Sequence, residues 1–374
     1  SKFGGYHSLF GRISEEALHL AEKIIEVSPF KQGRVFFCNS GSEANDTAVK
    51  MLWMLNKKKG NANKRKIITR INAYHGVTLG AGSMTGKPYI EEFGLPLKDF
   101  IHADCPHYWK FSLPNENEVD FSKRMANNLE NLILKEGAET IAGFFAEPIM
   151  GAGGVIPPSE GYFDLIQPIL KKYNIPFIAD EVITGFGRTG NLWGSETYDL
   201  KPEIIISSKC LTAGYFPMGA VIVNKEFAEE FNEISEQSGE FPHGFTAGGH
   251  PVGCAIALKA IDVIINEGLL ENVKTISPYF HKRLNEFNKY EHIGETRGKG
   301  LMAALEMVKN KETKESFESH LNMGDKIANM ALDNGLICRP LGPAIVLCPQ
   351  FIITKSQIDD MFDMLHDTLK KAFN

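Results

Sequence analysis

The sequence lacks the features that mark a membrane protein, a nucleic-acid-binding protein or a structural metal site. No apolar stretch approaches the roughly 18 residues that a membrane-spanning helix requires. The formal net charge is −6, and no basic run is longer than residues 57–59, so charge gives no case for nucleic-acid binding. The six cysteines show no C-x-x-C pair and no other metal-ligand spacing. We therefore expect a cytoplasmic protein with reduced thiols and without bound metal, nucleic acid or membrane.

The chain also lacks an initiating methionine and a signal peptide, so we expect that a further segment precedes Ser1. Its 374 residues, 43% of them hydrophobic, are enough for two domains. Strands and helices alternate up to about residue 270, which is typical of a mostly parallel sheet with right-handed crossovers. The later pattern indicates a smaller α+β unit. We predict a large domain over 1–270 and a small domain over 271–374, with the first residues at the edge of the small domain or of a dimer.

The stretch E-I-I-I-S-S-K-C-L-T-A-G at 203–214 predicts a short buried strand that ends just before Lys209. Ligands of open α/β sheets collect at the carboxyl ends of strands, where a partly desolvated lysine loses its proton readily and can form a Schiff base with an aldehyde. Taken alone, Lys209 is better explained as a solvated loop lysine, since most lysines are surface charges.

Other predicted strand ends carry candidate site residues. The strand before Asn39 leads into a turn of small residues and a helix, an arrangement that binds anions such as phosphate. Tyr74 follows a second strand and can stack on a flat ring or simply pack. Glu147 and Asp180 each end an apolar strand. A buried acid there needs a partner, such as a protonated ring nitrogen, a helix N-terminus or a salt bridge.

Together these parts meet the needs of pyridoxal 5′-phosphate (PLP), which binds through a lysine Schiff base and an acid at its ring nitrogen. The sequence resembles the class III (subgroup II) PLP-dependent aminotransferases along essentially its whole length, and within them it is most similar to the amine–pyruvate transaminases (ω-transaminases). The likeness rests on N-S-G-S-E-A-N at 39–45, Y-H-G at 74–76, D-E-V-I-T-G-F-G-R-T-G at 180–190, S-S-K at 207–209, G-F-T-A-G-G-H-P at 244–251, and I-C-R-P-L-G at 337–342 with V-L-C-P at 346–349.

The resemblance implies an α/β protein of fold-type I, with a seven-stranded, mostly parallel sheet in the large domain and a smaller α+β C-terminal domain. It implies that Lys209 holds the cofactor and moves the proton during catalysis, while Asp180 pairs with the pyridinium nitrogen. It also implies a homodimer with shared active sites, in which Thr246 reaches the neighbouring subunit's cofactor phosphate. The remaining cofactor-binding residues that it implies are Ser40, Gly41, Ser42, Tyr74, His75, Gly76, Glu147 and Val182.

For the substrate, the resemblance singles out Arg339, Tyr74 and Leu9. Arg339 matches an arginine that turns in to bind a substrate carboxylate and turns out for an apolar amine. A fixed buried guanidinium would be unpaired in half of the reaction cycle, which costs several kcal/mol. Leu9 stands where related enzymes carry an aromatic residue, so we expect a different apolar wall. The implied reaction is a ping-pong transfer of an amino group from an amine or ω-amino acid to pyruvate or a similar keto acid.

Several alternatives stay open at this point. The same fold and cofactor also serve isomerases and racemases, and a transaminase could have a narrower donor such as taurine or β-alanine. A nucleotide-binding protein without PLP would need a glycine fingerprint after the first strand, which is missing. A catalytically silent scaffold is disfavoured by the joint presence of Lys209 and Asp180.

Overall fold

The computed structural model describes residues 13–238 and 241–373, and its main element is a seven-stranded sheet with the order β1-β7-β6-β5-β4-β2-β3. Only β7 runs against the other six strands, because it pairs antiparallel with both of its neighbours. The predicted fold class is therefore confirmed. The strands are β1 (Gly33–Cys38), β2 (Lys66–Arg70), β3 (Phe100–Ala103), β4 (Ile141–Ala146), β5 (Phe177–Asp180), β6 (Ile204–Ser207) and β7 (Gly219–Asn224).

Helices cover both faces of this sheet, and polar side chains define where the first two begin. Ser14 accepts a hydrogen bond from the amide of Ala17, and Ser40 does the same for Glu43, as N-cap residues do. The helices of this part of the chain are α1 (Glu15–Val27), α2 (Gly41–Lys58), α3 (Leu79–Met84), α4 (Tyr108–Phe111), α5 (Glu118–Glu136), α6 (Tyr162–Lys172), α7 (Gly194–Thr197), α8 (Lys225–Ser238) and α9 (Pro251–Asn266).

The C-terminal part of the chain forms a second, antiparallel sheet of four strands with the order β10-β11-β9-β8. Its helices pack on it around a separate core that includes Val273, Phe280 and Phe362. That core begins with helix α10, whereas α9 packs in a core of the seven-stranded sheet. These separate cores support the predicted boundary near residue 270, which stays a prediction. The elements are α10 (Leu269–Asn285), β8 (Ile293–Lys299), β9 (Met302–Met307), α11 (Met323–Asp333), β10 (Arg339–Leu341), β11 (Ala344–Leu347) and α12 (Lys355–Phe373).

The segment 86–121 contains four prolines, yet it forms the edge strand β3 and the short helix α4. Helix α1 packs in a core of the seven-stranded sheet, while residues 1–12 lie outside the described part of the chain. No helix among the described residues is long and apolar enough to cross a membrane.

The parallel strands β4, β5 and β6 lie side by side and bring their carboxyl ends to one edge of the sheet. Glu147 follows β4, Asp180 ends β5, and Lys209 follows β6 by two residues. Three chemically active side chains from distant parts of the sequence are thus placed at one edge, as expected for an open α/β sheet.

The acid next to Asp180 has a structural task. Glu181 is fully buried and accepts hydrogen bonds from the amides of Gly194 and Ser195 and from the hydroxyls of Ser195 and Thr184, at 2.5–2.8 Å. Burial raises the pKa of Glu181, and these donors act in the opposite direction. The carboxylate therefore fixes the turn that follows β5 against the start of α7.

We expect Glu181→Ala to lower the free energy of unfolding by about 3 kcal/mol or more, because buried amides and hydroxyls lose their acceptor at a cost of about 1–3 kcal/mol each. Urea unfolding followed by circular dichroism measures the change. Glu196→Ala is the matched control, since the exposed Glu196 accepts only the Trp193 amide in the same turn and its loss should cost at most about 1 kcal/mol. Equal losses for both variants would contradict the structural role of Glu181.

Candidate active site

Two adjoining cavities lie at the carboxyl edge of the seven-stranded sheet. An inner cavity of about 130 Å³ adjoins an outer pocket of about 1110 Å³, and Tyr74, Ile183 and Lys209 line both. Lys209 therefore lies where a ligand of the inner cavity meets a molecule that enters from outside. The inner cavity is lined by Gly41, Ser42, Tyr74, His75, Gly76, Glu147, Asp180, Val182, Ile183, Ser208 and Lys209.

Lys209 combines an unusual backbone conformation with an altered amine. Its φ angle of 41° lies in the left-handed region, which costs a residue other than glycine of the order of 1–3 kcal/mol. The residue is exposed at the outer pocket and also lines the inner cavity. Partial desolvation of the amine by the surrounding protein lowers the pKa of Lys209, while the nearby carboxylates of Asp180 and Glu147 act against the shift. A lowered pKa raises the fraction of neutral amine, the form that attacks a carbonyl carbon.

The carboxylate of Asp180 is held by donors from two other elements. Asn45 Nδ2 on α2 donates to Asp180 Oδ2 at 2.9 Å, and His75 Nδ1 lies 2.7 Å from the same oxygen. Asp180 Oδ1 accepts the amide of Val182 at 3.1 Å. The structure thus places His75 beside Asp180, a contact that the sequence alone did not predict. Asn45 is a site residue that the residue-by-residue prediction missed, although it closes the motif at 39–45.

Glu147 is buried behind Tyr74. Its Oε1 accepts the amide of Tyr74 at 3.1 Å, and its Oε2 accepts the amide of Gly151 at 2.8 Å. Burial raises the pKa of Glu147, and the positive charge of Arg70, whose Nη2 donates to the Glu147 carbonyl at 2.6 Å, partly offsets the effect. Glu147 therefore joins the Tyr74 segment to the loop that follows β4.

Another part of the inner cavity wall suits a phosphate group. Helix α2 begins there with Gly41 and Ser42, so its free amides and positive dipole end face the cavity. A Cβ on Gly41 would lie 2.9 Å from Val182 Cγ2, and one on Gly76, whose φ is 139°, would lie 2.3 Å from Ser42 Oγ. Side chains at these glycines would fill the cavity or displace its wall.

The remaining predicted site residues fall into three groups. Arg339 lines the outer pocket, is exposed and has no hydrogen-bond or ion-pair partner among the described residues. Ser40 caps α2 and Thr246 lies in the loop before α9, and neither lines the inner cavity of its own chain. Leu9 lies outside the described residues, so its predicted contact with substrate stays a prediction.

The outer pocket also contains two thiols, Cys338 and Cys348. Burial raises the pKa of Cys338 to about 11 and also raises that of Cys348. All six cysteines are free thiols. Within 13–238 and 241–373, no group of three or more metal-ligating side chains comes together.

The residues present fit PLP. A helix N-terminus faces one end of the inner cavity, the carboxylate of Asp180 lies in its wall, and a partly desolvated amine lies where the cavity opens. These groups match a phosphate, a protonated ring nitrogen and an aldehyde, respectively. Tyr74 and Val182 add an aromatic and an aliphatic surface for a flat ring.

Comparisons with known proteins agree with this geometry. A family model described as aminotransferase class-III matches residues 6–369. The chain is similar to a PMP-bound aminotransferase from Vibrio fluvialis, with 60% identity and a TM-score of 0.98 over 100% of this chain and 82% of that chain. It is equally similar to an omega-aminotransferase from Paracoccus denitrificans, with 60% identity and a TM-score of 0.98 over 100% of this chain and 83% of that one. A curated relative, gamma aminobutyrate transaminase 1, mitochondrial, from Solanum lycopersicum, is 45% identical over 98% of this chain and 72% of its own length.

We expect Asn45→Ala to weaken retention of PLP about tenfold, because hydrogen bonds to charged groups contribute about 1.5–3 kcal/mol and Asp180 loses one of its donors. Dialysis of the loaded protein followed by absorbance of the bound cofactor measures the dissociation constant. Asn56→Ala is the control: Asn56 is a buried amide of the same helix whose Nδ2 donates to the Lys64 carbonyl at 3.2 Å, away from the cavity. An unchanged dissociation constant for Asn45→Ala, or equal losses for both variants, would contradict the role of Asn45.

Proposed function

The chain belongs to the class III aminotransferases, and from that premise we propose that it transfers an amino group from an amine or an ω-amino acid to pyruvate or a similar keto acid by a ping-pong mechanism. The observation that carries the proposal is Lys209 where the two cavities meet, with Asp180 in the inner one and Arg339, which no described residue binds, in the outer one. The gamma aminobutyrate transaminase relative supports γ-aminobutyrate as one donor to test among ω-amino acids.

The enzyme uses PLP, which supplies an aldehyde that takes up the amino group and a ring that withdraws electrons from the reacting carbon. We propose that Lys209 Nζ holds the cofactor and then moves a proton from the substrate Cα. Asp180 keeps the ring nitrogen protonated, and the donors Asn45 and His75 hold that carboxylate in place. Gly41 and Ser42 bind the phosphate, with Ser40 fixing the start of their helix.

Glu147, Tyr74 and Val182 would complete the cofactor site. Tyr74 and Val182 pack on the two faces of the ring, and Glu147 orients Tyr74 through the amide of that residue. Gly76 keeps the space beside Ser42 open. These assignments follow the positions of the side chains on the inner cavity.

Arg339 is suited to a pocket that takes two unlike substrates in turn. It begins β10, at the edge of the four-stranded sheet, and no partner within the described residues holds its guanidinium. A planar guanidinium binds a carboxylate with two parallel hydrogen bonds. Because the side chain has no ion pair with residues 13–238 or 241–373, it can leave the pocket for an apolar amine without breaking a contact to that part of the chain.

We further propose that the enzyme acts as a homodimer in the cytoplasm. Val77 and Leu79, next to Gly76 of the inner cavity, are 73% and 69% exposed, and exposed apolar patches of this kind mark interfaces. Thr246 does not line the inner cavity of its own chain, and we propose that it contacts the neighbouring subunit's cofactor phosphate. Six free thiols are typical of a reducing compartment.

An isomerase or racemase is the alternative that shares the cofactor. The charge of Arg339, which no described residue compensates, favours a transaminase, because it offers a carboxylate site to a second substrate. Stoichiometry separates the two activities: a transaminase requires a keto acid and forms a new amino acid, whereas an isomerase requires neither.

We expect Lys209→Ala to abolish transamination, measured as alanine formed from pyruvate with a panel of amines and ω-amino acids, while the protein remains folded by circular dichroism. Without the amine, neither attachment of the cofactor nor the proton transfer has a residue to perform it. Borohydride treatment of the loaded wild-type protein should leave a pyridoxyl group on the peptide of Lys209. Lys87, which lines the same outer pocket, is the internal control and should remain unlabelled. Near-normal turnover by Lys209→Ala would overturn the proposed function.

We expect Arg339→Ala to raise the KM for pyruvate about tenfold or more, the effect of losing a charge-assisted bidentate contact, with a much smaller change for a simple arylalkyl amine. Steady-state kinetics with each substrate varied in turn measure the difference. The uncharged amine is the control within the same variant. Equal losses for both substrates would contradict a carboxylate-binding role for Arg339.

A further inference from the structure

Four ionisable side chains form a largely buried cluster at the wall of the outer pocket. His107 Nε2 lies 2.8 Å from Glu295 Oε2, and Arg297 Nη1 donates to that same oxygen at 2.7 Å. Arg297 Nη2 donates to Glu306 Oε2 at 2.7 Å. His107, Arg297 and Glu306 are each less than a tenth exposed. These four residues, the Arg297 cluster, have no part in the chemistry proposed above.

Two carboxylates of the cluster would repel each other if Arg297 were absent. Glu295 and Glu306 lie directly opposite each other in the ladder between β8 and β9, where like charges repel. Arg297 binds both carboxylates and so compensates their charge. Its removal would leave two desolvated carboxylates facing each other, a costly arrangement in a protein interior.

Arg297 also joins the two sheets. Its Nε donates to the carbonyl of Gly154, in the loop that follows β4, at 2.9 Å. A Cβ on Gly154, whose φ is 111°, would lie 2.9 Å from Arg297 Nη2, so the loop approaches the guanidinium this closely because the residue is glycine. His107 makes a second connection between the two parts of the chain. It directly precedes α4 and lines the outer pocket, and its ring contacts Glu295 on β8.

Every nitrogen of the Arg297 guanidinium is engaged, which separates it from Arg339. Nε, Nη1 and Nη2 each bind a protein oxygen at 2.7–2.9 Å. Arg297 lines the outer pocket, but its three contacts, two of them to carboxylates, compensate its charge and fix its orientation. An effect of Arg297 on substrate is therefore expected through the position of other groups.

The register of the four-stranded sheet connects the two arginines. Arg297 on β8 pairs with Ala304, Ala304 pairs with Val346, and Val346 pairs with Arg339 on β10. Residues directly opposite one another in a ladder share a face of the sheet, so both arginines project towards the outer pocket from the two edge strands. Three strand spacings, about 14 Å in total, separate them.

The two edges are held very differently. The β8 edge is fixed by the Arg297 cluster, and the middle of the row packs on Ile149 and Val155 of the loop that follows β4. At the β10 edge, Arg339 has no partner among the described residues. The contacts at β8 therefore help to hold this face of the sheet over the pocket, at the end of the row opposite Arg339.

We propose that Arg297 is a positioning residue for substrate specificity, which holds the four-stranded sheet on the loop after β4 so that Arg339 reaches a carboxylate in the outer pocket. The inference rests on the proposed function, because it takes Arg339 as the carboxylate-binding group. Arg297 itself touches neither substrate nor cofactor.

A double-mutant cycle on the PLP-loaded enzyme tests the coupling, with Arg297→Gln, Arg339→Ala and the double variant. Arg297→Gln should raise the KM for pyruvate about tenfold, with kcat and the KM for an arylalkyl amine changed much less. If Arg297 acts through Arg339, the double variant should lose no more kcat/KM for pyruvate than Arg339→Ala alone. Losses that multiply, or an unchanged KM in Arg297→Gln, would overturn the proposal.

Three further variants separate positioning from general stability. Arg283→Gln is the matched control: Arg283 binds Asp363 at 2.6 Å and Asp359, both on α12 and away from the pocket, and its loss should leave the KM for pyruvate unchanged. Arg297→Lys keeps the charge but not the three-way fork, so it should fail to restore the KM. Full restoration by lysine, or an equal rise in KM for Arg283→Gln, would overturn the positioning role. Glu306→Gln is a milder variant that tests the same coupling if Arg297→Gln does not fold.

Hydrogen exchange supplies a readout that does not depend on activity. Amides of 151–155 and 339–347 should exchange faster in Arg297→Gln than in the wild type, and Arg283→Gln should leave them unchanged. Unchanged exchange in Arg297→Gln would contradict the proposal. If Arg339→Ala raises the KM for pyruvate far more than that for the amine while Arg297→Gln has no effect, only the inference on Arg297 fails. If Arg339→Ala changes both KM values equally, the carboxylate-binding role in the proposed function fails first.

Discussion

The buried carboxylate at the end of β5 is the constraint on which the rest of the site depends. Asp180 is 4% exposed, and a charge in that position is tolerable only with donors arranged around it. Those donors, Asn45 and His75, come from the start of α2 and from the segment after β2, the same elements that supply the phosphate end and the aromatic wall of the inner cavity. Solvating one carboxylate therefore fixes the relative positions of three separate parts of the chain.

The sequence predicted the buried strands, which are marked by runs of apolar residues, and the site residues that end these runs. Glu147, Asp180 and Lys209 were found because each follows a buried strand, and the structure brings them to one edge of the sheet. Strand β8, I-G-E-T-R-G-K, was not predicted, because its polar residues serve the Arg297 cluster and give no hydrophobic signal. Asn45 was missed as a site residue because its partner Asp180 is 135 positions away, and nothing local indicates that contact.

The outer pocket contains two arginines on one face of one sheet with opposite energetic situations. Arg297 has every nitrogen satisfied and is immobilised by its partners, whereas Arg339 has none within the described residues. The proposed function, in which the pocket takes a charged and an uncharged substrate in turn, suits this division. Under that proposal Arg297 would provide the frame and Arg339 the adaptability, since a single side chain could not be both rigidly bound and free to move.

The two thiols of the outer pocket matter for an enzyme that handles carbonyl compounds. Sulfur attacks carbonyl carbon as thiolate, and the raised pKa of both Cys338 and Cys348 lowers the thiolate fraction, although Cys348 is exposed in the pocket. The raised pKa therefore disfavours capture of an aldehyde or ketone as a hemithioacetal. The pKa of Lys209 is shifted in the opposite direction, so its amine is the side chain of this pocket best suited to attack a carbonyl carbon.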